Sequence, residues 1–300
     1  MARQMLGRAA VVVLLLAAVV AFGAERKFEK KFEVKPGGVL KLTTDIGSVR
    51  VTAGSGTGVQ VTAEIRGRES DVQEFEVTAE QRGNDVEVEG RARKSGFWHN
   101  MDLDVTYTVV VPKEYGAAVK TSGGDVEVKG TKGDVRAETS GGDLVVRDVA
   151  GMVDARTSGG NVEGTNVAGD LHMSTSGGDI KVRNVTGVVD VSTSGGNVSV
   201  TEIRGKVTAE TSGGDVSVGV VGDFQGVHAE TSGGNITIGV GKKVGAEIDA
   251  STSGGEVECE LPLTVQGKLT SSKIRGTVNG GGALIKARTT GGDITIRGAE

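Results

Sequence analysis

From residue 121 onward, apolar and polar positions alternate in short runs that repeat. Val126 and Val128 alternate with Glu127 and Lys129, a polar turn follows at Gly130 to Gly133, and Val135, Ala137 and Thr139 then alternate with Arg136 and Glu138. Side chains on a strand point to opposite faces at successive residues, so this pattern predicts two short strands per unit, each with one buried face. The string Thr-Ser-Gly-Gly punctuates the units, starting at Thr121, Thr139, Thr157, Thr175, Thr193, Thr211, Thr231 and Thr252, with a variant at Thr289. The first six starts are 18 residues apart, and the wider later gaps fit short insertions plus a degenerate copy near Lys273–Val278. Self-similarity at a fixed period means stacked units. The expected fold is therefore all-β, a parallel β-solenoid with coils of about 18 residues and two strands.

Aligning the units predicts files of like side chains. One inward file reads Val126, Leu144, Val162, Ile180, Val198, Val216, Ile236, Val257, Ile294. A second reads Val135, Val153, Leu171, Val189, Val207, Val227, Ile248, Leu269, Ile285. A third is mostly small: Ala137, Ala155, Met173, Val191, Ala209, Ala229, Ala250, Ser271, Ala287. β-Branched residues suit a pleated surface and small ones let two sheets approach, so the interior should be narrow and filled. A six-residue period would need apolar residues at 132 and 138, where Lys132 and Glu138 stand, which excludes left-handed acyltransferase helices.

Residues 25–120 are less regular but keep the alternation. Thr44–Val51 reads as a degenerate unit, and strands are expected at 59–65, 75–80, 86–92 and 103–111, with the last two forming a hairpin around the 94–100 loop. Both tyrosines, Trp98 and most phenylalanines fall here, so the segment is expected to be a bulkier β-rich cap on the first coil, with 121–300 as the solenoid proper. At the other end, little sequence follows the strand 294–297, which leaves that coil short of cover and suggests end-to-end pairing of copies.

Composition narrows the functional classes. The 300 residues include 50 Gly, 3 Pro, 1 Cys and 9 aromatics, and no strict Gly-X-Y period appears, which excludes collagen. One cysteine permits neither an internal disulfide nor a cysteine zinc site. Arg3 and Arg8 precede an uncharged apolar run from Ala9 to Phe22, and Ala21 and Gly23 supply small residues for cleavage, so residues 1–23 read as an export signal peptide. An apolar stretch of about 14 residues spans roughly 21 Å, short of a ~30 Å hydrocarbon core, and no lipid-accepting cysteine follows it. After cleavage 32 basic and 39 acidic residues remain, which argues against nucleic acid as a partner.

No catalytic, metal or cofactor site emerges. The residues after Gly-Gly form a file, Asp125, Asp143, Asn161, Asp179, Asn197, Asp215, Asn235, Glu256, Asp293, which at first suggests a calcium ladder. Asn interrupts it: only the first of the seven steps from Asp125 to Glu256 sets two carboxylates on adjacent coils. Adjacent carboxylates ~4.8 Å apart would repel by roughly 0.9 kcal/mol in water, so the alternation reads as relief of repulsion around a turn-capping position. The Thr file points inward with the core, unlike an outward ice-binding array, and should bond along the ladder. His172 and His228 share an outward file but sit about 14 Å apart, too far for a shared proton or metal. His99 falls beside Trp98, Cys259 reads as a small buried hydrophobe, and the outward files mix charges without an aromatic stripe.

The run Val109-Val110-Val111-Pro112-Lys113-Glu114-Tyr115-Gly116, leading into Thr121-Ser122-Gly123-Gly124-Asp125-Val126-Glu127-Val128, resembles the putative adhesin family of bacterial envelope β-strand-repeat domains. The likeness covers about residues 39–297 and implies the repeat architecture and little about activity. Together these readings predict an exported, non-catalytic envelope protein, in the periplasm or at the cell surface, that presents a rigid surface to a protein or polysaccharide or acts as a spacer. The alternatives are a polysaccharide-acting β-helix enzyme, which would need clustered carboxylates in a cleft, and a self-assembling module.

Overall fold

The computed structural model describes residues 24–93, 102–265 and 270–299; the expected signal peptide and the Trp98–His99 loop lie outside them. The chain begins with β1 (Ala24–Glu33), β2 (Val39–Thr44), β3 (Ser48–Gly54), β4 (Gly58–Gly67), the short helix α1 (Glu69–Glu74), β5 (Phe75–Arg82), β6 (Asp85–Ala92), β7 (Leu103–Pro112), β8 (Gly116–Thr121) and β9 (Val126–Lys129). The regular repeats supply β10 (Val135–Glu138), β11 (Leu144–Ala150), β12 (Val153–Arg156), β13 (Val162–Ala168), β14 (Leu171–Ser174), β15 (Ile180–Thr186), β16 (Val189–Ser192) and β17 (Val198–Glu210). The last stretch holds β18 (Val216–Glu230), β19 (Ile236–Gly241), β20 (Ala246–Thr252), β21 (Val257–Cys259), β22 (Leu263–Val265), β23 (Lys273–Val278), β24 (Ala283–Thr289) and β25 (Ile294–Ala299).

Each regular repeat lays one strand on each of two parallel ladders, in a register of 18 residues. On one ladder Val135 pairs with Val153, Leu171 with Val189, and Val189 with Val207. On the other, Leu144 pairs with Val162 and Ile180 with Val198. The expected inward files are buried: Leu144, Val153, Leu171, Val189, Val207 and Ala209 are all 0% exposed. The fold is thus all-β and solenoid-like. Counted along either ladder, the described residues make eleven parallel rungs, and ten steps of ~4.8 Å give a stack of roughly 48 Å.

The turn between the two strands also faces inward, which the two-strand pattern does not anticipate. Asp148, Asn166, Asn184 and Glu202 adopt left-handed φ values of 53 to 58°. A single left-handed residue bends the strand, so Val149, Val167, Val185 and Ile203, one position later, turn into the core at no more than 2% exposure. Thr131 takes the equivalent place one rung earlier, fully buried, with its hydroxyl unpaired.

The rungs do not follow sequence order at either end. At the start, β2 lies between β8 and β6, and β3 between β9 and β7. The expected hairpin of 86–92 with 103–111 is therefore corrected: β6 and β7 sit on different ladders and form the outermost rung. The hairpin is instead β5–β6, closed through Gly83 and Asn84, because β7 gains more by pairing with β3 on one side and antiparallel β4 on the other. Strand β1 then pairs antiparallel with β4. From its inner face Arg26 and Lys30 donate to the Phe75 and Ala79 carbonyls of β5, blunting an open edge with charge.

The far end is tucked in the same way. Strand β24 lies between β18 and β20, and β25 between β19 and β21, so Ile285 separates Val227 from Ile248 and Ile294 separates Ile236 from Val257. The files drawn in simple chain order are corrected accordingly, and the last coil is covered on both sides, which removes the stated reason for end-to-end pairing. The segment 273–278 is not a degenerate coil: as β23 it runs antiparallel to β20 and is covered by β22. Ser271 is exposed rather than inward, and Leu269 lies outside the described residues.

Close approach explains why the second residue of each Gly-Gly pair must be glycine. A Cβ built on Gly142, Gly160, Gly178, Gly196 or Gly214 would overlap the carbonyl of its counterpart one rung back, whereas one on Gly177 meets the nearest atom at 3.5 Å. Gly178→Ala should therefore cost about 3 kcal/mol and Gly177→Ala less than about 0.5 kcal/mol, compared by urea denaturation. A second test uses a size exchange within one coil. Gly164 interrupts the file of Val128, Val146 and Val182, and the space its Cβ would need is filled first by the side chain of Met173, in the file of small residues, and then by that of Leu171. Met173→Ala should cost about 2–4 kcal/mol, and adding Gly164→Val should recover at least half of that loss.

Candidate functional site

The Thr-Ser-Gly-Gly-Asp corner gathers more polar groups than any other part of the repeat. Each Thr is buried on the strand's inward side, and its hydroxyl donates to the carbonyl of the second Gly of the previous rung: Thr175 to Gly160 at 2.8 Å, Thr193 to Gly178 at 2.9 Å, Thr211 to Gly196 at 2.8 Å. The same oxygen accepts the N–H of the second Gly of its own rung, as Thr193 does from Gly196 at 3.4 Å. The inward direction expected for this file is observed, with the hydroxyls bonding to glycine carbonyls across rungs instead of to one another.

The following Asp or Asn extends the lattice. Its Oδ1 accepts the backbone N–H of its counterpart in the next rung, so the cap spans two coils instead of closing its own turn. The distances are 2.7 Å onto Asp143, Asp179 and Asp215, and 2.9 Å onto Asn161, Asn197 and Asn235. The carboxylates of Asp125 and Asp293 accept in the same way at 2.9 and 2.8 Å, so amide and carboxylate serve the position alike. The spatial order is Asp125, Asp143, Asn161, Asp179, Asn197, Asp215, Asn235, Asp293, Glu256. Adjacent carboxylates thus occur at both ends of the file, Asp125 with Asp143 and Asp293 with Glu256, and Asn separates them between. Among the described residues no three His, Cys, Asp or Glu side chains group as a metal site.

A second ladder runs along the left-handed bend: Asn166 Nδ2 donates to Asp148 Oδ1 and Asn184 Nδ2 to Asn166 Oδ1, both at 2.8 Å. Sequence reasoning missed it, although Asp148, Asn166 and Asn184 recur at the 18-residue period, and Asn and Asp are the non-glycine residues that best tolerate this conformation.

On the outer faces, charges pair along and across rungs. Glu138 accepts from Arg136 at 2.6 Å and meets Lys120 at 3.0 Å, and these hydrogen bonds hold its carboxyl below the usual range. Arg156 pairs with Asp154 at 2.8 Å and Arg183 with Glu202 at 2.8 Å. Such exposed pairs add little stability, so this face is mixed in sign and solvated. Burial pushes the Asp249 carboxyl up, but hydrogen bonds from Arg275 and Arg288 outweigh it and leave the group lowered. His172 stands 3.8 Å from Asp190, and His228, three rungs from His172, stands 3.6 Å from both Glu210 and Glu230. Cys259 pairs with Ile296 at the edge of the stack and packs against the core as expected, though only half-buried, and burial pushes its thiol up.

Two open grooves flank the turn that leads into β8. One, of about 630 Å³, lies between Pro36–Val39, Glu114 and Gly116, and Lys132–Asp134. The other, of about 340 Å³, lies between Gly54–Thr57 and Pro112–Glu114. Both are shallow; the larger carries the carboxylates of Glu114 and Asp134, and Asp134 Oδ1 accepts the Met152 N–H at 2.9 Å.

A family model described as Toastrack DUF4097 matches residues 39–297. Among solved structures, the chain is similar to a putative adhesin from Bacteroides fragilis NCTC 9343 at 14% identity and a TM-score of 0.40, over 91% of this chain and 97% of that one. A putative adhesin from Parabacteroides distasonis ATCC 8503 is similar at 14% identity and a TM-score of 0.46, over the same shares. A putative lipid binding protein, also from Parabacteroides distasonis ATCC 8503, is similar at 13% identity and a TM-score of 0.31, again over 91% and 97%. None of the curated proteins matches the chain.

The alternation in the corner file is testable. Asn197→Asp keeps the acceptor for the Asp215 N–H but sets carboxylates on three successive rungs, 179, 197 and 215. The variant should lose about 1–2 kcal/mol at pH 7. Mutual repulsion raises the folded-state pKa of the added carboxyl above its unfolded value, so its stability deficit should vanish as pH falls below the carboxylate range, read from urea midpoints between pH 3 and 7.

Proposed function

The chain belongs to the Toastrack DUF4097 family, and from that membership and the repeat lattice we propose that it is an exported, non-catalytic β-solenoid of the bacterial envelope. Its 18-residue coils serve as a scaffold whose outer faces bind a protein or polysaccharide of the envelope, in the periplasm or at the cell surface, after removal of residues 1–23. The observation that carries this reading is the commitment of the recurring polar groups to bonds between rungs. The corner Thr, Asp and Asn residues hold the stack together, which leaves the two outward files of each ladder as the repeating surface open to a partner.

Binding by such a face should depend on its charge pattern. The mature protein immobilised on beads should retain a component of solubilised bacterial envelope. Replacing Lys120, Arg136 and Arg156 together by Gln should cut that retention at least tenfold while leaving the thermal midpoint within a few degrees, since exposed pairs contribute little to folding. Release of reducing ends from envelope polysaccharide by the natural protein, lost when the face carboxylates Glu138 and Asp154 are replaced by amides, would instead establish the enzymatic alternative.

A further inference from the structure

The coil formed by β24 and β25 occupies a slot whose two walls both precede it in sequence. Below lie β18 and β19, and above lie β20 and β21. Until residues 283–299 arrive, those walls present facing, unpaired strand edges, and an unpaired edge is a template for any strand of matching pattern.

The bonds inside the slot are the ones that join every other pair of rungs. Thr289 donates to the Gly234 carbonyl and Thr252 to that of Gly292; the Asp293 N–H reaches Asn235 Oδ1 and the Glu256 N–H reaches Asp293 Oδ1. Nothing in this set depends on the covalent connection that delivers the coil. That connection is Asn279–Gly282, with φ values of 49, 86, 90 and 152°, and Gly280 faces open space. The link is short and glycine-rich. Its one side-chain tie is a pair of 3.0 Å hydrogen bonds from Asn279 Nδ2 to the Lys242 and Val244 carbonyls, on the turn that opens the upper wall.

We propose that residues 283–299 are an exchangeable coil, and that the partner fitting this slot is the same segment of a second copy of the chain, giving a reciprocal dimer. Each copy completes the other's stack with the Ile285, Ala287, Ile294 and Ile296 side chains that are fully buried in the closed monomer. A segment on a short link competes at an effective concentration on the order of millimolar, so the closed form dominates in dilute solution and exchange takes over on refolding at comparable concentration. This inference is independent of which envelope component the outer faces bind.

The native Cys259 allows a direct test, because its Cα partner across the slot is Ile296. Adjacent strands bring paired Cα atoms within disulfide range, so Ile296→Cys reports which chain supplies the coil. Natural and uniformly 15N-labelled full chains carrying this change are unfolded together, refolded reduced at about 1 mM or about 1 µM, and then oxidised. Exchange yields a 259–296 cross-linked peptide of mixed label in the dimer fraction from the concentrated sample, and single-label cross-links from the dilute one. Single-label cross-links at both concentrations overturn the proposal. If the cysteine variant does not refold, the unsubstituted chain is followed by native mass spectrometry. A mixed-label dimer that survives dilution for hours supports exchange, whereas monomer throughout, or a dimer that dissociates within minutes, overturns it.

Discussion

The structure depends on one close approach, the stacking of the second corner glycine onto the carbonyl of its counterpart one rung back. There is no room for a Cβ at that contact. Because the backbones meet so closely, the threonine hydroxyl reaches the glycine carbonyl and the Asp or Asn oxygen reaches the next N–H. The corner therefore fixes the 18-residue register before any aliphatic contact is counted, and the files of Val, Ile and Leu fall into line behind it. A one-residue slip would turn every inward side chain outward, so two constraints of different chemistry enforce the same alignment.

The surface follows from the same constraint. With corner polar groups occupied between rungs, the chemistry left to solvent lies on flat ladders whose side chains repeat every ~4.8 Å along the stack and mix both charges with neutral residues. Such a surface suits extended contact better than the enclosure of a small molecule, and the shallow grooves beside Pro36 and Pro112 agree with that character. The aromatic residues of the first rungs serve the stack as well. Tyr107 is fully buried with its hydroxyl on Thr44, and burial pushes its ionisation up to about 12.

Where the period is strict, the sequence was a sufficient guide. The files headed by Val126, Val135 and Ala137 could be read by counting, as could the inward direction of the Thr file, because each depends only on neighbours 18 residues away. What escaped depended on local geometry or on distant order. The inward turn at Val149 was hidden because one left-handed residue reverses the alternation, and only the recurrence of Asp148, Asn166 and Asn184 marked it. The place of Ile294 between Ile236 and Val257 was hidden for a different reason: every rung carries equivalent edges, so no residue type states which rung comes next. The 86–92 and 103–111 strands misled in the same way, since β-propensity marks a strand without naming its partner.

The tucked arrangement of the outer coils has a mechanical consequence. Tension applied beyond Ala299 enters the stack through β25, which pairs with β19 along its whole length but with β21 only over Ile294–Ile296. The load therefore meets a single ladder at Arg297–Ala299 and two ladders only from Ile296 inward, so unravelling from that end stops where the second ladder begins. The coil is thereby fastened most firmly over its inner half, and its last three residues are the first to yield to a pull.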